Sequence, residues 1–355
     1  MLYRLYRPQL FADVVGQEHV IRTLQGAFRN DRVGHAYLFA GPRGTGKTTI
    51  ARILAKALNC EKRGKDGEPC NTCNACQAVN ENRSLDLIEI DGASNGRVDE
   101  IRALKESAGV AATGGGYKVF LIDEVHMVTK EAFNALLKIL EEPPAHVIFI
   151  FATTDPQKIP LTILSRVQRF DFRKLTDAEV SEKLTQITKS EKLSIEPAAL
   201  IAMAAASDGA MRDAEVMLSK IVSALGTKNK VTAEQAAELL GLIPIAYHVE
   251  LLTNLADNNR ASALSVVAKT VDGGISSEQF AKEFLEYLRK VLLYKIDPSL
   301  AKGEQFGIPV DKLSGLDVKR LTAMVLKFTD ARAEVKFSPI PQLPLELAIV
   351  ELTVI

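Results

Sequence analysis

The octapeptide GPRGTGKT, residues 41–48, constrains this chain more than any other stretch. Its spacing is G-x-x-x-x-G-K-[ST], in which small residues let backbone amides turn inward around phosphate oxygens. Such a loop works between a buried strand and the first turn of a helix, whose N-terminus carries a partial positive charge. Both neighbours are present: HAYLFAG (35–41) is a short apolar run ending in glycine, and GKTTIARILAKALN (46–59) reads as a helix. Lys47 can reach the β and γ phosphates of a nucleotide, and Thr48 can ligate Mg²⁺. The candidate nucleotide-binding residues are therefore Gly41, Pro42, Arg43, Gly44, Thr45, Gly46, Lys47, Thr48 and Thr49. A glycine-rich turn with a chance lysine would have no reason to sit between a strand and a helix.

The rest of the first half repeats that alternation. DLIEIDG (86–92), YKVFLIDEV (117–125) and HVIFIFATT (146–154) read as further strands. QEHVIRTLQGAFRN (17–30), VDEIRALKESA (98–108) and EAFNALLKILEE (131–142) read as helices. Strands alternating with helices predict a parallel sheet covered on both faces. After VQRFDFRKL (167–175) only helical patterns follow. The expected division is an α/β core over 1–175, a helical domain over 176–241 and a second all-α domain over 242–355.

VFLIDEVH (119–126) supplies the partner of the phosphate loop. Four apolar residues drive a buried strand and two carboxylates emerge at its C-terminal end, where ligands sit in a parallel sheet. Asp123 is the candidate Mg²⁺ ligand together with Thr48, and Glu124 the candidate general base for an attacking water. The joint reading is an ATPase. His126, next to the pair, reads as a packed or hydrogen-bonded residue.

Charge and hydropathy narrow the setting. Lysine plus arginine equal aspartate plus glutamate at 44 each, so the net charge is zero and any DNA contact must come from a local patch. The longest strongly apolar run, 146–154, is too short to span a bilayer. The N-terminal MLYRLYRPQLFADVV lacks the apolar run and small-residue cleavage site of a secretion signal, which predicts a cytoplasmic location. In that compartment clustered cysteines are more often metal ligands than disulfides.

All four cysteines fall between residues 60 and 76, as Cys60-x9-Cys70-x2-Cys73-x2-Cys76. Four thiolates can close a tetrahedral, purely structural Zn²⁺ site. Two disulfides, an iron–sulfur ligand set or four free thiols are the alternatives the spacing leaves open.

Taken together, GQEHV (16–20), HAYLFAGPRGTGKTT (35–49), LIDEVHM (121–127), FNALLKILEEPP (133–144) and ATTDPQKIPLTILSR (152–166) resemble the AAA+ ATPases. Within them the likeness is to the clamp-loader branch, the gamma/tau subunits of bacterial DNA polymerase III. It covers the first 240 residues strongly and the last 115 more loosely. The resemblance implies a P-loop AAA+ core, a helical lid and an all-α C-terminal collar. It implies that Tyr6, Arg7, Pro8 and the segment Val14 to Gln17, Val15 included, line the adenine pocket. It makes Thr154 the sensor of the γ-phosphate or attacking water, and Arg212 a second sensor on the lid. Arg166 becomes an arginine finger acting on a neighbouring subunit's ATP; Val167 stands where the family motif has cysteine. It also implies a four-cysteine zinc module at this point in the chain. Asn95 stands where an arginine can occur in the family, which leaves Arg97, Lys158 and Thr162 as weak candidates for DNA phosphate contact. The implied partners are delta, delta-prime and further gamma/tau subunits, the sliding clamp and primed DNA, with no membrane. A delta-prime-like stator that does not hydrolyse, and an assembly scaffold that binds ATP without turning it over, are the rival readings. A different AAA+ motor is disfavoured by the cysteines and the ATTDPQKIP segment.

Overall fold

The computed structural model describes residues 1–94, 98–226, 230–300 and 316–353, with the side chains of 98, 99 and 102 left out. Asn95 and Arg97 lie outside the described residues. The chain divides into two compact units, Met1–Ala233 and Glu234–Ile355.

The first unit is built on five parallel strands: β1 (Ala36–Ala40), β2 (Leu87–Asp91), β3 (Lys118–Asp123), β4 (Val147–Thr153) and β5 (Gln168–Asp171), in the order β2-β3-β4-β1-β5. Every residue of β1 and β4 is buried, whereas β2 and β5 are largely half-buried or exposed. That contrast follows from position, since central strands are covered on both faces and bordered by strands on both edges. Alternate residues serve opposite faces. Tyr37, Phe39, Val119, Leu121, Ile148 and Ile150 join one core, and Ala36, Leu38, Phe120, Ile122, Phe149 and Phe151 the other. The first core is completed by α2 (Glu18–Arg29) and α3 (Lys47–Leu58), the second by α5 (Val98–Ala108) and α6 (Lys130–Glu141). Of three short helices, α1 (Leu2–Leu5) is the first element of the chain, and α4 (Asn74–Asn80) and α7 (Leu161–Leu164) lie in the connections.

The sequence pattern foresees four of the five strands. QRFD, the fifth, is four residues long and mostly exposed, so it carries no apolar signature; its pairing with β1 places it. After it come α8 (Asp177–Ser190), α9 (Pro197–Ala206) and α10 (Met211–Leu225). Helix α8 opens with a full capping box: Thr176 and Glu179 bond each other's backbone amides.

Helix α11 (Ala233–Leu240) begins at the division between the units. The second unit continues with α12 (Ile245–Ala256), α13 (Arg260–Asp272), α14 (Ser277–Ile296), α15 (Val318–Val335) and α16 (Leu343–Leu352). Its core contains an aromatic group in which His248 stacks near Phe280, Phe284 and Tyr287, and Phe328 meets Phe284 edge-on. Among the described residues no single helix is long and apolar enough to cross a membrane.

Candidate nucleotide and metal sites

Strand β1 ends at Ala40 and α3 begins at Lys47, so residues 41–46 must reverse the chain over the C-terminal edge of the sheet. Gly46 caps α3 at φ 103°, a left-handed conformation that side chains disfavour, and a Cβ there would meet nothing within 4 Å. The loop is thus open on that side. Gly44 is constrained differently. A Cβ there would lie 2.8 Å from the Cβ of Ala210, the residue before α10, so the helical segment rests directly on the loop.

The Lys47 ammonium is buried and donates to the carbonyls of Gly41 and Pro42, at 2.7 Å each. Burial pushes its pKa down, and the charges of Glu124 and Asp123 oppose that shift. The Thr48 hydroxyl donates to Asp123 Oδ2 at 2.7 Å. Two ligands at right angles on a Mg²⁺ with 2.0–2.1 Å bonds sit about 2.9 Å apart. These two oxygens are therefore spaced about as two neighbouring ligands of one Mg²⁺ would be, once the hydroxyl hydrogen turns away from Asp123.

One residue on, Glu124 takes a left-handed turn at φ 46°. Its Oε2 accepts from the Thr154 hydroxyl at 2.9 Å and the Thr154 amide at 3.2 Å. His126 Nδ1 lies 3.0 Å from the Thr153 hydroxyl and 3.3 Å from Glu124 Oε2, so this histidine is hydrogen-bonded as the sequence reading expects. Adjacent strands β3 and β4 thereby bring the base candidate and the sensor candidate into direct contact. Thr153, wholly buried, escaped the sequence reading because a threonine ending an apolar strand carries no signal of its own.

The base-side candidates are not all brought together. Arg7 and Pro8 line a cavity of about 540 Å³ with the second-sensor candidate Arg212 and with Arg52, Ile53 and Lys56 of α3, whereas Tyr6 and Val15 do not line it. Burial first, then Arg52, works against the Arg7 cation, and Glu89 opposes that shift. Arg212 lies over the Tyr3 ring, 5.1 Å from its centre. Tyr6 donates to Glu191 at 2.7 Å. Val15 is half-buried, and the neighbouring Gln17 is wholly buried, reaching the carbonyls of Arg173 at 2.8 Å and Thr45 at 3.4 Å.

Arg166 follows α7 and stands apart from this group. Its guanidinium bonds Glu141 at 2.7 Å, the Thr162 carbonyl at 2.7 Å and the Ser165 hydroxyl at 3.0 Å. Lys158 is exposed and pairs with Asp155 at 3.2 Å, and Thr162 is exposed.

The four cysteines converge just beyond the far end of α3. All four Sγ atoms lie within 4.8 Å of one another and none is paired in a disulfide. Zn–S bonds of 2.3 Å in a tetrahedron place sulfurs about 3.8 Å apart; Cys70 and Cys76 are 4.0 Å apart. Backbone amides already point at sulfur: Cys70 N–H to Cys60 at 3.2 Å, and Thr72 and Cys73 N–H to Cys70 at 3.4 and 3.3 Å. The Thr72 hydroxyl and then these amides hold the Cys70 thiol down to about 5, while burial pushes Cys60 and Cys76 up. Four convergent thiols with amide donors fit a tetrathiolate metal and offer it no open position.

Comparison with known proteins agrees along the chain. Residues 16–176 match the family "DNA polymerase III, delta subunit", residues 179–219 the "DNA polymerase III clamp loader subunit, ATPase lid domain", and residues 231–355 "DNA polymerase III subunits gamma and tau domain III". DNA polymerase III subunit tau of Bacillus subtilis is 43% identical over 99% of this chain and 62% of its own length. The tau subunit of Escherichia coli is 40% identical over 84% of this chain and 46% of its own. The chain thus spans roughly half to two thirds of these two relatives. DNA polymerase III subunit gamma of Buchnera aphidicola is 33% identical over 98% of this chain and 97% of its own length. With a P-loop AAA+ core, a helical lid and a helical C-terminal region, the chain belongs to the DNA polymerase III gamma and tau subunit family.

Proposed function

We propose that this protein is the ATP-hydrolysing subunit of a cytoplasmic DNA polymerase III clamp loader, which uses ATP to place a sliding clamp on primed DNA. The observation that carries this reading is the joint geometry of Lys47, Thr48–Asp123 and Glu124–Thr154 at one end of the sheet. A stator or scaffold needs the fold but has no need of a paired base and sensor. The division of labour is a nucleotide-binding core over 1–175, a lid over 176–241 and a collar over 242–355 that assembles the ring.

The loop amides and Lys47 bind and orient the phosphates of ATP, and Thr48 with Asp123 holds Mg²⁺. Mg²⁺ held by these two side chains would supply positive charge against the charge that develops on the reacting phosphates. Glu124 takes a proton from the attacking water, and Thr154 fixes the direction of that carboxylate. Tyr6, Arg7, Pro8 and Val15 face the base and sugar, and Arg212 brings the lid's charge to the phosphates. Arg166 exchanges Glu141 for the phosphates held by the next subunit. The four cysteines hold a structural Zn²⁺. Delta, delta-prime and further gamma/tau copies complete the ring. Binding of ATP favours the clamp-holding state by its differential affinity for that state, and hydrolysis on primed DNA releases it.

The test is ATP turnover by the purified protein mixed with clamp, delta and delta-prime subunits, with and without primed DNA. Stimulation by clamp and DNA together, lost in Lys47→Ala and in Arg166→Ala, is the expected result. ATP binding without stimulated turnover would leave the scaffold reading standing.

A further inference from the structure

Glu68 stands in the loop of the cysteine module, two positions before Cys70, and makes its longest-range bonds away from the metal site. Its Oε2 accepts the Phe11 amide at 3.0 Å and its Oε1 the Ala12 amide at 2.9 Å. These are the first amides of the 3-10 turn Phe11–Asp13, donors that a helical turn leaves without internal partners. A second tie runs from Asn80, on the helix that carries Cys76, to Gln9 at 3.1 Å. A third joins the module to α3: the buried Lys56 ammonium bonds Asn71 at 2.5 Å and Asn80 at 2.9 Å.

The segment thus held leads directly to the nucleotide site. Phe11 is wholly buried in the sheet core, and Gln17, also wholly buried, reaches the Thr45 carbonyl of the phosphate loop. Residues 9–17 are therefore anchored at one end to the cysteine module and at the other to the loop that receives phosphate. Residues 61–66 of the module are all exposed, whereas Gly67 and Pro69, on either side of Glu68, are buried, and a Cβ on Gly67 would lie 2.3 Å from the Phe28 ring. Four thiols closed around one metal would hold the exposed stretch to this packed end.

We infer that Glu68 is a positioning residue for the nucleotide: through it the cysteine module fixes the base-side segment 9–17, so that metal loading and nucleotide affinity are coupled. This rests on the reading of residues 6–8 and 14–17, which flank the held turn Phe11–Asp13, as the base-side wall. It differs from a module that only staples a surface loop, because coupling makes the base side of the site sense the metal while the phosphate side does not.

Calorimetric titration of ATP and of inorganic tripolyphosphate, each with Mg²⁺, into the wild-type protein, Glu68→Ala and Glu68→Gln separates the two, with zinc content measured on every sample. ATP affinity is expected to fall about tenfold in Glu68→Ala, within the range usual for coupled sites, with tripolyphosphate affinity changed less than about twofold. Glu68→Gln, which keeps one acceptor oxygen, is expected to recover part of the loss. Stripping zinc from the wild type should reproduce the selective loss and speed hydrogen exchange at the Phe11 and Ala12 amides. Equal losses for both ligands, or ATP affinity and exchange unchanged on stripping, would overturn the inference. Wild-type protein that binds tripolyphosphate and ATP equally would overturn the base-side reading itself. If Glu68→Ala does not fold, the exchange of those two amides in wild type with and without zinc decides the matter alone.

Discussion

The two ends of helix α3 pose the same problem and solve it differently. At the N-terminal end six residues must turn back over the sheet; beyond the C-terminal end, Cys60 opens a loop that must return to β2. The first loop is shaped by its backbone and by what lies behind it: β1 leads in, the Ala210 region presses on Gly44, and two carbonyls hold Lys47. The second has a wholly exposed stretch, residues 61–66, and gathers four sulfurs around it. A loop backed by a packed sheet can hold a ligand site in readiness, whereas a loop with a small core of its own gains rigidity from a cross-link. Removing a ligand-binding side chain from the first should cost chemistry. Removing one from the second should cost order.

The sharpest way to break this contrast is Lys47→Ala. Turnover is expected to fall about 10³-fold or more, as for the loss of a principal charge partner of the reacting phosphates. Zinc content, measured on the same preparation, should stay at one per chain. A zinc loss there would mean that the two ends of α3 are not independent in this direction. Cys73→Ser is the converse: zinc affinity should drop by more than about 10²-fold, since removal of groups that merely support metal ligands already costs 10- to 100-fold. Turnover at saturating ATP should change less than about threefold, the defect appearing in KM.

The contrast sharpens again at the lid, where charge is buried beside the nucleotide region. Glu215 is 5% exposed, and burial pushes its carboxyl up to about 7, against the opposing charges of Lys183 and Arg7. A folded pKa above the unfolded value means full stability below about 4.5 and a loss as pH rises toward 7, after which the cost is constant. Glu215→Gln should therefore be more stable than wild type by roughly 3 kcal/mol at pH 8, with no advantage below pH 4.5. Denaturant unfolding at the two pH values checks it, and an advantage at both would point to packing in place of charge. The smallest effect belongs to the cap of α8. Arg173 foremost, and Thr176 with it, hold Glu179 down to about 2. That stability is present above about 4.5 and disappears as pH falls toward 2. Because Arg173 is exposed and Glu179 partly so, solvent screens the pair, and Glu179→Gln should cost only about 1 kcal/mol at pH 7 and little at pH 2.

What could be read in advance follows the same division. The phosphate loop and acidic pair were legible because each is a run of consecutive residues with a fixed neighbouring element. The cysteines were legible because no other residue type is so clustered in the chain. Thr154, Arg166 and Arg212 were reached only through resemblance to a family, since a lone threonine or arginine has no spacing to betray it. β5 was missed because a short, half-exposed edge strand needs its partner to be recognised. Glu68 was missed because its partners, Phe11 and Ala12, stand 57 and 56 residues away.

By itself the sequence determined the fold class, the phosphate loop, the acidic pair at the end of β3, and the four clustered thiols. These are set by local patterns: apolar runs that must be buried, glycines that permit the turn, and residue types that bind one kind of ligand. Only the tertiary structure decided which groups meet: Thr154 with Glu124, Ala210 with Gly44, Arg166 with Glu141, and Glu68 with the amides of Phe11 and Ala12. Such pairs depend on strand order and on the packing of distant segments, which no short stretch of chain encodes.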